Sequence, residues 1–295
     1  MWRWQFDMVV DDLRAVLEPQ TEFAKQCAIN SSGSWVRAEL KFAAAMRFIA
    51  GGSYLDAADL YAVSAKTFHR NTFWPVIMGL VNSKLPFLDN ICFPFDDVQK
   101  LREHAKTFQR FHKHFPGTVA AGDGCAFKIK KPRAAEVDDD VQSSFTRKYS
   151  WAYGFILFCD GDLNIMSVEA THVASTNDAG MYASSDVHRA ICEDRRLPEW
   201  AHVVLDEAFG CTDQELVSWS QPRSSKLSTE KDAFNYFLSA QRQSVERVFG
   251  VMVNRFGILW RQMSFSFERY KLILIALCRY ALQTQHSTNN NVHEC

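Results

Sequence analysis

The sequence predicts a mixed α/β fold, in which helices pack on a sheet of mixed strand direction. Three observations support this prediction. Two β-rich segments flank an Asp-Gly-Asp turn signal at 160–162, which is typical of a hairpin. A short apolar segment at 200–205 has the composition of a buried central strand. Two long helical patterns, 232–259 and 268–282, then follow, so the order of elements is that of a sheet covered by helices.

The first third of the chain is predicted to be helical. The segment 37–50 has Ala, Leu, Phe and Met at three- and four-residue spacing, and it stops at Gly51-Gly52. Ser53 and Ser64 are expected to cap two further helices. Pro75 is expected to kink or end the second of these helices, because proline lacks a backbone N–H.

Helix, tight turn and helix in succession predict a helix-turn-helix-like region over about 37–84. Its second helix would direct basic and polar side chains toward DNA, namely Lys66, His69, Arg70 and Asn71. The alternative interpretation is a plain helical packing region whose basic face is solvated.

The middle of the chain changes to β structure. The segment 118–130 is predicted to form a strand, and 180–191 is predicted to form a helix. We therefore expect a helical N-terminal region over 1–110, an α/β domain over 111–284, and a polar, frayed tail over 285–295.

Composition excludes several classes of protein. At 47% hydrophobic and 13% aromatic residues, the chain is too apolar to be mainly disordered. The longest apolar run, 272–278, is too short to cross a bilayer, and the acidic residues of the N-terminus argue against a secretory signal. Eight cysteines occur without CxxC spacing, which predicts reduced thiols in an intracellular protein and no zinc site.

The net charge of −1 conceals an uneven distribution. Segment 151–222 carries twelve acidic and three basic residues, whereas 223–271 carries nine basic and four acidic residues. A basic tract adds four positive charges within six positions, at Lys128, Lys130, Lys131 and Arg133. Such a tract suits DNA phosphates or nuclear import, so a near-neutral pI does not exclude nucleic acid. The alternative is a solvated hairpin edge.

Three acidic residues lie beside apolar segments, where acids are disfavoured. Asp123 interrupts the 118–130 segment, Asp206 ends the 200–205 strand, and Glu246 lies near the apolar face of the long helix. A buried carboxylate is costly unless it is paired, protonated or bound to a metal. If the three converge, they form an all-oxygen site suited to Mg²⁺ or Mn²⁺. Taken singly, each is more often structural. A fourth acid, Asp178, starts the mid-chain helix, where a carboxylate is common.

Several short motifs follow one another along the chain. They are Phe115-Pro116-Gly117, Gly122-Asp123-Gly124, Arg147-Lys148, Cys159-Asp160, Ser175-Thr176-Asn177-Asp178, Leu205-Asp206, Val245-Glu246-Arg247-Val248-Phe249-Gly250 and Arg255-Phe256. In this order they resemble the PIF/Harbinger transposases and the nucleases derived from them, the DDE superfamily endonucleases. The resemblance covers about 115–256, and the upstream segment 40–80 is similar to the N-terminal helical region of that family.

The resemblance implies an RNase H-like fold with a divalent-metal active site, in which Asp123, Asp206 and Glu246 are catalytic. These three acids and Asp178 would bind two Mg²⁺ or Mn²⁺ ions. Water would attack a DNA phosphodiester in the cutting step, and a 3′-hydroxyl would attack in any strand transfer. Arg147 and Lys148 join the expected DNA-contacting residues. The resemblance further implies residence in the nucleus and a Myb/SANT-like partner protein, and it allows self-association.

The chain departs from the family pattern next to its acids. Cys125-Ala126-Phe127 replaces the usual Thr-His-Ile, and Asn177 replaces a His before Asp178. Changes around metal ligands typically cost about 10–100-fold in affinity or activity. The alternative function is therefore a domesticated, catalytically silent protein that binds DNA or a protein partner.

Overall fold

The helices lie mainly at the two ends of the chain. The computed structural model describes residues 3–32, 35–86, 88–89, 91–110, 113–137, 141–146, 150–171, 178–221 and 226–282. The α-helices of these residues are α1 (Arg3–Leu17), α2 (Glu22–Ser32), α3 (Ala38–Ile49), α4 (Tyr54–Leu60), α5 (Ala65–Thr67), α6 (Trp74–Asn82), α7 (Val98–Gln109), α8 (Asp178–Ala183), α9 (Asp186–His188), α10 (Thr229–Arg255) and α11 (Phe267–Leu282). Two segments are π-helical, Phe68–Phe73 and Arg189–Glu193, and three are 3₁₀-helical, Ala134–Glu136, Val141–Ser144 and Gly257–Trp260. None of the helices in these ranges is long and apolar enough to cross a membrane.

The sheet of the described residues confirms the predicted α/β class. Its strands are β1 (Thr118–Lys128), β2 (Ala152–Cys159), β3 (Ile165–Thr171), β4 (His202–Val204) and β5 (Glu215–Leu216). Their spatial order is β3-β2-β1-β4-β5. Strands β1, β2 and β3 pair antiparallel, whereas β4 is parallel to β1 and β5 is parallel to β4. This mixed sheet flanked by helices agrees with the predicted RNase H-like fold.

Alternation along β1 separates two faces of the sheet. A Cβ atom built on Gly122 would lie 2.3 Å from Phe158, so this position faces the apolar cluster that contains Phe158 and Leu205. On the other face, Cys159 Sγ lies 3.7 Å from Ser244 Oγ of α10. Because Ala121 pairs with Cys159, Ala121 and Asp123 belong to the face that α10 covers.

Two compact units divide the chain. One contains Met1–Asn90 and Met252–Cys295, and the other contains Ile91–Val251. The predicted division kept 111–284 in one domain, whereas the packing groups the last helix with the N-terminal helices. The physical reason is that α11 packs on α6, where the Arg279 guanidinium donates to the Ser83 carbonyl at 3.1 Å.

The helix-turn-helix-like region has the predicted caps. Ser53 Oγ accepts a hydrogen bond from the Leu55 amide at 3.2 Å, and Ser64 Oγ accepts one from the Thr67 amide at 3.1 Å. Pro75 does not end the second helix, which runs on through the π-helical segment Phe68–Phe73 into α6. A proline ring clashes with the carbonyl four residues earlier, and the wider π turn just before Pro75 relieves that clash.

Candidate active site

Strands β1 and β4 place Asp123 and Asp206 at matching positions. Ala121 pairs with Val204 in the parallel register, and each acid lies two residues further along its own chain segment. The Leu205 amide still donates to the Leu216 carbonyl at 2.9 Å, so the extended backbone continues beyond the last paired residue of β4. Because side chains alternate along extended chains, both acids belong to the face that α10 covers.

Helix α10 brings Glu246 to the same place through Arg242. The Arg242 guanidinium donates to Asp206 Oδ1 at 2.5 Å and to Glu246 Oε1 at 3.0 Å. Arg242 and Glu246 are four residues apart, which places both on one side of the helix. One cation therefore joins two of the three predicted acids. Arg242 was missed by the sequence reasoning, although this helical spacing to Glu246 was a usable signal.

The expectation that these acids are buried is wrong for two of them. The side chains of Asp206 and Glu246 are 41% and 52% exposed, whereas that of Arg242 is only 20% exposed. Asp123 is half-buried, and its Oδ1 accepts a hydrogen bond from the Gly124 amide at 2.8 Å. Asp206 and Glu246 are thus partly open to solvent, and Asp206 follows Val204, the last paired residue of β4.

A buried polar network lies on the same face of the sheet and links the same three elements. Thr118 of β1 donates through Oγ1 to Gln241 Oε1 of α10 at 2.5 Å. The same Oγ1 lies 2.8 Å from Nε2 of His202, at the start of β4. Burial lowers the pKa of His202 to about 4, so its imidazole is neutral at neutral pH. The network fixes β1, β4 and α10 relative to one another, and these elements carry Asp123, Asp206 and Glu246.

A family comparison agrees with this geometry. The family model described as DDE superfamily endonuclease matches residues 122–281, which is more than half of the chain. The chain belongs to the DDE superfamily endonuclease family. The match begins one residue before Asp123 and includes Asp178, Asp206 and Glu246. No curated protein and no solved structure matches the chain.

Several predicted residues of this family member cannot be assigned contacts. Asp178 begins α8, but its side chain lies outside the described part of the chain. Arg147 and Lys148 also lie outside the described residues. Their predicted roles in metal and DNA binding therefore stay predictions.

The DNA-contact candidates of the helical region have different surroundings. Lys66, His69, Arg70 and Asn71 are all exposed. His69 also accepts a hydrogen bond at Nε2 from the Trp74 indole at 3.3 Å, and its ring stacks on Phe265. Burial lowers the pKa of His69, and nearby arginines lower it further. A neutral imidazole is a weaker phosphate ligand than the charged side chains of Lys66 and Arg70.

The basic tract after β1 is on the surface. Lys128, Lys130, Lys131 and Arg133 are all exposed. Lys131 Nζ lies 5.5 Å above the Trp151 ring, which orients one of these charges. Contact of this tract with DNA stays a prediction.

A second group of metal-binding residue types was not predicted. Among the described residues, three have ligand atoms that all lie within 4.8 Å of one another, and they are His188, Cys192 and Glu215. Asp123, Asp206 and Glu246 do not form so tight a group. The expected absence of a zinc site considered cysteine spacing alone, whereas His188 and Cys192 have the four-residue spacing of one helix face.

The position of Arg242 leads to a prediction about metal affinity. A divalent ion at Asp206 and Glu246 has to compete with the guanidinium, so Arg242→Gln is expected to strengthen Mn²⁺ binding. An exposed ion pair contributes up to about 1 kcal/mol, which corresponds to about fivefold in affinity. Mn²⁺ titration followed by thermal unfolding measures the change.

Arg247→Gln is the matched control for Arg242→Gln, because Arg247 is an exposed arginine of the same helix. The control is expected to leave the Mn²⁺ titration unchanged. A weaker response to Mn²⁺ in the Arg242 variant would contradict the competition argument.

Proposed function

We propose that the chain is a divalent-metal-dependent DNA endonuclease of the transposase type and that it belongs to the PIF/Harbinger group. The observation that carries the proposal is the Arg242 guanidinium, which lies between Asp206 and Glu246 beside the strand of Asp123. The guanidinium thus occupies a position between two carboxylates, where a metal cation would also be attracted.

The residues fit Mg²⁺ or Mn²⁺. Both ions prefer oxygen ligands, and the candidate set consists of the carboxylates of Asp123, Asp206 and Glu246, with Asp178 as a fourth member. The guanidinium acts as a stand-in cation at two of these carboxylates. When bound, such ions supply the positive charge that activates the attacking hydroxyl and stabilises the leaving oxygen of a phosphodiester.

The side chains have separate tasks in the proposed cleavage. Asp206 and Glu246 are partly open to solvent, so a DNA backbone can reach them without unfolding of the surrounding strands. Exposed cations of the basic tract after β1 hold phosphates, and Lys66 and Arg70 are phosphate ligands of the helical region. Water attacks the phosphorus, and the bond to the 3′-oxygen breaks. Most of the acceleration then comes from charge neutralisation and in-line positioning.

Partners and location follow from the same proposal. DNA is the substrate, the nucleus is the location, and a Myb/SANT-like protein supplies targeting. These assignments depend on the family resemblance and on the exposed basic tract.

Thermal unfolding with and without Mn²⁺ tests the proposed metal site. Mn²⁺ at about a hundredfold excess over its dissociation constant is expected to stabilise the wild type by about 2.7 kcal/mol. The Asp123→Asn variant is expected to lose this stabilisation. Glu207→Gln serves as the control, because Glu207 is an exposed acid next to Asp206. DNA binding without any Mn²⁺ stabilisation of the wild type would instead favour the catalytically silent alternative.

A further inference from the structure

Glu215 is a buried carboxylate in need of a cation. Glu215 lies on the edge strand β5, and only 1% of the residue is exposed to solvent. The hydroxyls of Tyr182 and Thr212 and the Nδ1 atom of His188 are hydrogen-bond partners of its carboxylate. None of these partners carries a permanent positive charge, whereas a buried carboxylate is normally paired with a cation or bound to a metal.

The helical segment opposite β5 presents two ligands of a different type. His188 is the last residue of α9, and Cys192 lies in the π-helical segment Arg189–Glu193. Single π turns within helices frequently occur at functional sites. His188 Nδ1 lies 3.1 Å from Glu215 Oε1, and the Cys192 sulfur completes a group whose ligand atoms are all within 4.8 Å of one another.

We propose that His188, Cys192 and Glu215 form a zinc site. A nitrogen, a sulfur and an oxygen ligand together suit Zn²⁺, whereas Mg²⁺ and Mn²⁺ prefer oxygen ligands alone. Tetrahedral zinc with bonds of about 2.0–2.3 Å separates its ligand atoms by about 3.3–3.8 Å. The observed separations allow this geometry after small side-chain adjustments.

Binding would proceed with a balanced proton transfer. The Cys192 thiol gives up its proton to solvent, and the thiolate binds the ion. His188 binds through Nδ1 in the tautomer that carries its proton on Nε2. Glu215 keeps its negative charge, and its oxygen binds the ion in place of its hydrogen bond to His188 Nδ1. His188 and Cys192 are both partly exposed, so solvent reaches the group.

This site is separate from the carboxylate site. Glu215 pairs with Val203, and Val203 belongs to the apolar cluster that also contains Tyr182 and Val187. Asp206 lies on the opposite face, beneath α10. The proposed zinc therefore fastens the two-residue edge strand β5 to the α9 segment, and it takes no part in the proposed cleavage.

Cobalt titration of metal-free full-length chain tests the site. Co²⁺ bound at this site is expected to produce a near-ultraviolet charge-transfer band that requires a thiolate, which the oxygen ligands of the carboxylate site do not give. Zn²⁺ is expected to displace it. Cys192→Ser is expected to abolish the band, and His188→Gln is expected to weaken Co²⁺ binding at least about tenfold. Absence of the band in the wild type would refute the proposal.

Two controls separate this result from other thiols and from the carboxylate site. Cys27→Ser removes an exposed cysteine of the N-terminal helix α2 and is expected to keep the band, as is Asp206→Asn. Cys211→Ser removes an exposed cysteine that is not one of the three proposed ligands and is also expected to keep the band. A band that survives Cys192→Ser, or that vanishes in Cys211→Ser, also overturns the assignment. In case Cys192→Ser fails to fold, alkylation of the wild type provides a second measurement. Zn²⁺ is expected to protect Cys192 from a thiol reagent, and unchanged labelling would count against the site.

Discussion

Asp123→Asn and Glu246→Gln are each expected to abolish Mn²⁺-dependent nicking of supercoiled DNA. Each substitution removes a negative charge from the proposed metal site while preserving the size of the side chain. We expect a loss of at least about a hundredfold in rate, which corresponds to about 2.7 kcal/mol of transition-state stabilisation. Plasmid nicking measured over time with Mn²⁺ provides the comparison.

DNA binding by these variants is expected to stay close to that of the wild type, because carboxylates repel phosphates and contribute little to non-specific affinity. Glu207→Gln is the matched control and is expected to cut normally. If both acid variants nick DNA at the wild-type rate, the assignment of the carboxylate site is wrong. A silent protein would show no nicking in the wild type either.

We expect the free energy of unfolding to fall at acidic pH because of His202, which connects the strands and the helix of the carboxylate site. Burial lowers the folded-state pKa of His202 to about 4, while the unfolded value is about 6.5. The unfolded chain therefore binds a proton first. The contribution of neutral His202 to stability is complete above pH 6.5 and is lost as the pH falls toward 4. Between pH 7.5 and pH 4 the loss amounts to about 3 kcal/mol.

His202→Gln isolates this effect from the other titrating groups. Glutamine cannot be protonated in this pH range. The free energy of unfolding of the variant should therefore fall by about 3 kcal/mol less than that of the wild type over the same pH interval. Urea unfolding at pH 7.5 and at pH 4 measures both proteins. If the free energy of unfolding falls equally in the two proteins, protonation of His202 does not cause the loss of stability at acidic pH.

Local patterns predicted most of the secondary structure. The strands around Asp123 and before Asp206 were recognisable because their apolar runs are short and end at polar residues. The caps Ser53 and Ser64 were recognisable because a hydroxyl before a helical pattern has a specific local task. Such signals depend on neighbours within a few positions, so they can be read along a single sequence.

Other features needed contacts that no local pattern contains. The two-residue strand β5 is too short to produce an alternation signal, and no local pattern shows that Glu215 pairs with Val203 of β4. The burial of Asp206 and Glu246 was overestimated, because apolar neighbours in sequence do not reveal that the sheet ends beside them. The packing of α11 on α6 likewise joins residues that are far apart in the chain.

The sequence alone determined which residues could act: acids at the ends of apolar strands, hydroxyls at helix starts, and an exposed run of cations. Only the tertiary structure decided which of them meet. Strand order brings Asp123 beside Asp206, and the packing of α10 inserts Arg242 between Asp206 and Glu246. The physical reason is that alternation and helical period fix the direction of each side chain locally. Distances between elements depend instead on register and packing, which involve residues far apart in the chain.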